Sequence, residues 1–176
     1  MLHSVSTRAF LAATALVAAS SAGAVGGIGT GRAVLLNPVS FLNVDDLDFG
    51  LVVAPSSGNG TVTINPVDST IIYSNLVGVP SVATQRGRLV GSADPGQDVE
   101  VTVTLPTRLY QNGDTTKPWV PVALNLDHLA SSGGKYYYTA NTSRVFNIYL
   151  GGTLTVPAGT ANGAYNNQFA VTATHY

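Results

Sequence analysis

The chain has 176 residues, of which 10% are charged, with 8 Lys and Arg against 9 Asp and Glu, and it contains no cysteine. So sparse and balanced a charge leaves no basic patch for nucleic acid and no acidic tail, and 45% hydrophobic residues are too many for a disordered chain. The missing cysteines exclude thiol catalysis, thiolate metal sites and disulfide stapling together.

The first eight residues, MLHSVSTR, carry one positive charge, and the apolar run AFLAATALVAA follows. This run falls short of the ~20 residues that a spanning helix needs. Ala22-Gly23-Ala24 offers the small-x-small pattern of a cleavage site. Residues 1–24 are therefore expected to be a secretory signal peptide. What remains, residues 25–176, fits one domain and has 7 Lys and Arg against 9 Asp and Glu, a net charge of −2.

Residues 25–32, VGGIGTGR, are half glycine and read as a flexible N-terminal arm. The glycines invite comparison with a dinucleotide loop, but GIGTGR lacks the preceding strand, the following helix and the full GxGxxG spacing. From residue 33 onward, short runs rich in Val, Ile, Thr, Tyr and Phe alternate with Gly, Pro, Asn, Asp and Ser. In chain order the strands are expected in AVLLNPVSFLNV, LDFGLVV, GTVTINP, STIIYSN and RLVGSA. DVEVTVTLP, PWVPVALNLD, KYYYTA, RVFNIYLGGTLTVP and AYNNQFAVTATHY complete the set. Asp94-Pro95-Gly96 predicts a tight turn, with Pro setting φ and Gly free to take φ > 0. A single helical turn is expected around LDHLASS. About ten strands at this spacing predict an all-β chain: an antiparallel, immunoglobulin-like β-sandwich over residues 33–176.

Signals of chemistry are few. Asp45, Asp46 and Asp48 form the densest acidic cluster, and Asp46-x-Asp48-x-Gly50 faintly echoes a calcium loop. The later oxygen ligands and the bidentate Glu of such a loop are missing, so a solvated turn over a buried Leu47 and Phe49 is the expectation. His128 and His175 have no partners at ligand spacing, and His175 is expected to face solvent. Asn59-Gly60-Thr61 and Asn141-Thr142-Ser143 fit the glycosylation sequon. Among Tyr136, Tyr137 and Tyr138, alternation puts part of the run inside and part outside. Trp119, in PWVPV, reads as strand core. No catalytic residue, metal ligand or cofactor site emerges.

The ordered blocks Ala33–Phe41, Asp46-Leu47-Asp48-Phe49-Gly50, Arg88–Pro106 and Gly163–Tyr176 resemble a secreted bacterial family catalogued as a domain of unknown function, DUF4402. The end of the chain also resembles chaperone–usher pilins and spore-coat-protein-U-like subunits. In those families a glycine roughly fourteen residues from the end opens a final alternating strand, and a tyrosine sits at or next to the terminus. Gly163 and Tyr176 occupy these places, although Tyr176 is last and not penultimate, and the disulfide of many such subunits is absent.

The resemblance implies a sandwich that lacks one strand and is completed by a donor strand. Tyr165, Phe169, Val171 and Ala173 would form the receiving face between Gly163 and Tyr176. Ile28, Thr30, Val34 and Leu36 share one parity and would form the donating face; with Arg32 among them, either the deep-docking part begins at Ala33 or Arg32 lies at the mouth of the groove. The implied function is a pilin-like structural subunit of a cell-surface fibre. Its partners would be other copies of the chain, head to tail, together with a periplasmic chaperone and an outer-membrane usher. Its route would lead through the periplasm to the cell surface. A self-contained secreted sandwich and a carbohydrate-binding module are the alternatives.

Overall fold

The computed structural model describes residues 38–79, 84–128 and 134–176. The expected signal peptide, the arm with Ile28, Thr30, Val34 and Leu36, and residues 129–132 of the expected helical turn lie outside the described residues. Asp127 and His128, at the start of that turn, form a bend.

Thirteen strands are described, β1 (Ser40–Asp45), β2 (Val52–Val53), β3 (Asn59–Ile64), β4 (Ile71–Ser74), β5 (Val77–Gly78), β6 (Gly87–Ser92) and β7 (Asp98–Thr104) forming the first half. The second half comprises β8 (Arg108–Gln111), β9 (Trp119–Leu126), β10 (Lys135–Thr139), β11 (Val145–Pro157), β12 (Tyr165–Asn166) and β13 (Ala170–His175). Every described pairing between them is antiparallel. The main sheet runs β1-β6-β11-β9-β8-β12, with β3 joined to β11 and β4 to β3. A second sheet runs β10-β7-β13, and β2 and β5 make a short ribbon.

The chain is thus an all-β sandwich. An immunoglobulin sandwich of seven strands, A to G, has A-B-E-D in one sheet and C-F-G in the other. Here β1-β6-β11-β9 follows the first order in chain sequence, and β7-β13 follows C-F. Among the described residues no strand stands in the place of G.

Strand β11 organises the main sheet. Along one edge Val145–Leu150 pairs with β6 and Gly152–Pro157 pairs with β3, while the other edge carries β9 opposite Leu150–Leu154. The change of neighbour falls at Gly151-Gly152. A Cβ at Gly151 would collide with the Ile64 carbonyl oxygen, and one at Gly152 (φ +147°) with that of Ala123. Only glycine lets three strands approach this closely.

Two hydrophobic clusters form the core. The first joins Leu89, Val99, Val101, Leu126, Tyr138, Phe146, Ile148 and Leu150, between the second sheet and the β1-β6-β11 side of the main sheet. The second joins Phe49, Val62, Ile64, Val120, Val122, Leu154 and Val156, with Val52 and Leu76 of the ribbon region packed against it. The inward residues of β11 are all even-numbered, from Phe146 through Val156, so one alternation supplies both clusters.

The differences from the expected strands have local causes. LDFGLVV is a strand only at Val52–Val53: Gly50 takes φ +75°, accepted by no regular strand, and Asp48 caps the bend by accepting the Gly50 amide at 2.7 Å. Phe49 is still buried and Leu47 partly so, held by the paired bonds Asp48 N to Gln85 O (3.0 Å) and Gln85 N to Asp48 O (2.9 Å). β5 and β8 were not expected, since each offers too few alternating apolar residues to stand out from its turns. Asp94-Pro95-Gly96 forms its turn, with Gly96 at φ +72° and Gln97 N donating to Asp94 O at 3.0 Å.

The final expected strand divides in two. Tyr165–Asn166 pairs with β8 in the main sheet, whereas Ala170–His175 pairs with β7 in the second. The chain crosses between sheets at Asn167-Gln168-Phe169, where Asn167 Nδ2 donates to Arg108 O at 2.9 Å and Gln168 N to Asn167 Oδ1 at 2.8 Å. Alternation survives the crossing, since Tyr165 packs on the second cluster and Phe169 on the first.

Candidate functional site

The acidic cluster forms a bend. Asp46 Oδ1 accepts from Asn43 Nδ2 at 2.6 Å, Asp48 caps Gly50, and no group of three or more His, Asp or Glu residues among those described could hold a metal. A cleft beside the Asn65–Thr70 turn has Asp68 as the single ionisable group in its lining. The Thr70 amide bonded to Asp68 holds that carboxyl below its usual range, so it serves the turn as an acceptor.

Tyr138 and Asp127 form the main polar contact against the core. Tyr138 Oη donates to Asp127 Oδ1 at 2.9 Å, the same oxygen accepts Tyr149 N at 3.2 Å, and the His128 ring lies 4.2 Å from that of Tyr138. Burial, then the neighbouring Asp127 charge, pushes the Tyr138 phenol above its ordinary pKa. As alternation implies, Tyr136 and Tyr138 turn inward and Tyr137 outward.

Two placements differ from expectation. Val120 and Val122 take the inward parity of β9, so Trp119 turns outward and is 45% exposed, with the Arg108 guanidinium 4.1 Å from its ring centroid. His175 shares the inward parity of Val171 and Ala173 and is half-buried instead of facing solvent.

Strand β13 lies at an edge of the second sheet. Its register with β7 runs without a shift from Ala170↔Thr104 to His175↔Val99. Tyr176 N donates to Asp98 O at 3.1 Å, which makes that pair a hydrogen-bonded one. Bonded and non-bonded pairs alternate in an antiparallel ladder, so Ala170, Thr172 and Thr174 direct their main-chain groups toward β7. Val171 and Ala173 direct theirs away, to a side where no described strand pairs. These are the residues whose side chains turn inward, together with Phe169, onto the first cluster, and they remain half-buried.

A second edge strand, β1, packs on the same cluster. β1 pairs with β6 alone, and Val39 and Phe41 pack on the same first cluster, with Phe41 edge-on to Phe146 at 5.9 Å. At the opposite side, Tyr138 of β10 reaches Asp127 at the end of β9, which leaves β13 on the β1 side of the sandwich. An unpaired ladder and a half-covered apolar row thus open together between β1 and β13.

The expected receiving residues are not all in one place. Phe169, Val171 and Ala173 line the open side. Tyr165 belongs to the other sheet, and its hydroxyl donates to Ala161 O at 2.8 Å. Gly163 precedes that strand at φ +153°, where a Cβ would meet Gln111 Nε2 at 2.6 Å. Tyr176 points outward and is 75% exposed, yet both its main-chain N–H and its carbonyl are bonded at the start of β7: Gln97 Nε2 donates to its carbonyl oxygen at 3.0 Å. The alternation of the sequence marks the face of each residue; the sheet crossing that separates Tyr165 from Phe169 leaves no mark in it.

A family model described as a domain of unknown function (DUF4402) matches residues 39–175. Comparison with curated proteins and with solved structures finds no match to the chain.

Proposed function

The chain belongs to the DUF4402 family, and from that premise we propose that it is a structural subunit that polymerises by strand addition, its β13 edge receiving the N-terminal arm of another copy. The observation that carries this reading is the coincidence on β13 of outward-directed main-chain groups at Val171 and Ala173 with half-covered side chains on the same residues. An edge of this kind is a template for aggregation unless something covers it.

A segment of alternating parity would meet both needs. Ile28, Thr30, Val34 and Leu36 would settle over Phe169, Val171 and Ala173, while the arm's main chain extends the β7-β13 ladder. Arg32 would lie at the mouth, where its charge stays hydrated. A contact of this sort is head-to-tail and does not close on itself, so it builds a filament. Secretion, a lending chaperone and an usher belong to the same reading, which calls for no cofactor and no catalysis.

The test compares the chain from residue 25 with one lacking residues 25–36, each with and without a synthetic peptide of that segment. The expected result is polymer from the first and a poorly soluble second, rescued by the peptide with slowed amide exchange at Val171 and Ala173. If the shortened chain is a stable two-state monomer and the peptide leaves those amides unchanged, strand addition is wrong and the self-contained sandwich stands.

One observation favours a second reading, carbohydrate binding: Trp119 is on the outer surface beside Arg108. A glycan-array signal lost in Trp119→Ala would support it.

A further inference from the structure

The outer face of the β10-β7-β13 sheet carries a contact that the strand-addition reading does not use. Tyr137, on β10, and Tyr176, after β13, reach over the intervening β7 until their ring centroids lie 4.9 Å apart, with the planes at 68°. It is the one tyrosine–tyrosine ring contact among the described residues. Both rings are open to solvent, 37% exposed for Tyr137 and 75% for Tyr176. Neighbouring Tyr138 is by contrast buried and bonded to Asp127, and Tyr136 turns inward.

The surroundings suit oxidation of a phenol. Tyr137 Oη donates to Glu100 Oε2 at 3.4 Å, and Glu100 is held in place by Lys135 Nζ at 2.8 Å. A phenol that loses an electron must also lose its proton, and a carboxylate in contact with the hydroxyl is positioned to take it. The Tyr176 main chain is held by Asp98 O and Gln97 Nε2, which places its ring within reach of Tyr137 before reaction.

We propose that Tyr137 and Tyr176 are an oxidative cross-linking site that joins β10 to the end of β13 as a dityrosine. An oxidant of the peroxide class, acting through a haem peroxidase, takes one electron and the phenolic proton from each ring. The two phenoxyl radicals form a carbon–carbon bond between positions ortho to their oxygens. The ortho hydrogens then move to the oxygens, so both phenols are restored. The protein loses two hydrogens in all, and one hydrogen peroxide becomes two waters. The bond closes segment 137–176 into a loop and gives a cysteine-free chain a covalent clasp across its smaller sheet. The inference is independent of strand addition, because both rings face away from the β13 edge.

The full chain, treated with hydrogen peroxide and a haem peroxidase at low protein concentration, is digested with trypsin and read by mass spectrometry. The expected product is cross-linked within one chain, has lost two hydrogens, and joins peptides 136–144 and 145–176 through Tyr137 and Tyr176. Tyr137→Phe should abolish it, Tyr136→Phe should preserve it, and Glu100→Gln should slow its formation several-fold. The clasped protein should melt at a higher temperature than the untreated one. A bond between other tyrosines, persistence in Tyr137→Phe, or cross-linking solely between molecules would overturn the proposal.

Discussion

β11 and β13 look alike as sequence, each an alternation of apolar residues with threonine, but they sit in different surroundings. β11 has neighbours along both edges and buries every inward side chain from Phe146 to Val156. β13 has one described neighbour, and its inward Val171 and Ala173 are half-buried. Period-two alternation states which face a residue takes, whereas the number of flanking strands decides how deeply that face is covered. The difference between the two strands is therefore a property of the sheet as a whole.

That comparison can be tested by substitution. The largest effect should come from Gly151→Val, whose side chain would be forced into Ile64 O and the ring of Pro66. We expect no cooperative unfolding transition in urea, since a side chain driven into backbone atoms can be accommodated only by parting β11 from β3, at a cost comparable to the marginal stability of a domain. Next, Ile148→Ala, at a fully buried position of β11, should lower stability by about 2–5 kcal/mol, read from the urea midpoint. Val171→Ala on β13 should cost about 1 kcal/mol or less because part of its surface is already in water. Equal costs for the two would break the comparison. A larger cost for Val171→Ala when the 25–36 peptide is present would sharpen it.

Tyr138→Phe should cost about 1–2 kcal/mol through the hydrogen bond that Asp127 loses. Its pH behaviour is also defined. The folded phenol holds its proton above the ordinary value of 10.0, so the folded state binds more protons than the unfolded one at alkaline pH. Stability is then complete below pH 10.0 and falls as pH rises beyond it. Part of that alkaline loss should disappear in Tyr138→Phe, as measured by thermal melts across the range. Smallest of all, Lys135→Ala should leave the melting temperature unchanged, because the lysine side of its pair with Glu100 is exposed to solvent and screened.

The fold class could be read from the chain because alternation and turn residues are local properties. Gln97 closing on Asp94 around Gly96, and the inward Leu47 and Phe49, follow from residues within a few positions of each other. The outward turn of Trp119 was equally available in principle: Val120 and Val122 both demand the inward face, and adjacent residues cannot share it. Large apolar size suggested core, and parity overrode it. The crossing at Asn167-Gln168-Phe169 could not be read, since the inward rows on both sides of it keep the same parity while changing sheet. Nor could the neighbour change on β11, although Gly151-Gly152 marks where backbones meet too closely for a side chain.

The same crossing has a mechanical consequence. Tension applied at Tyr176 runs first along β13, where the ladder to β7 resists it, and then reaches Phe169 and Tyr165 within a few residues. These two rings are anchored in different hydrophobic clusters and different sheets. The terminal segment therefore acts as a lashing: a pull on its end draws the two sheets against each other and spreads the load through both cores before either can be peeled open.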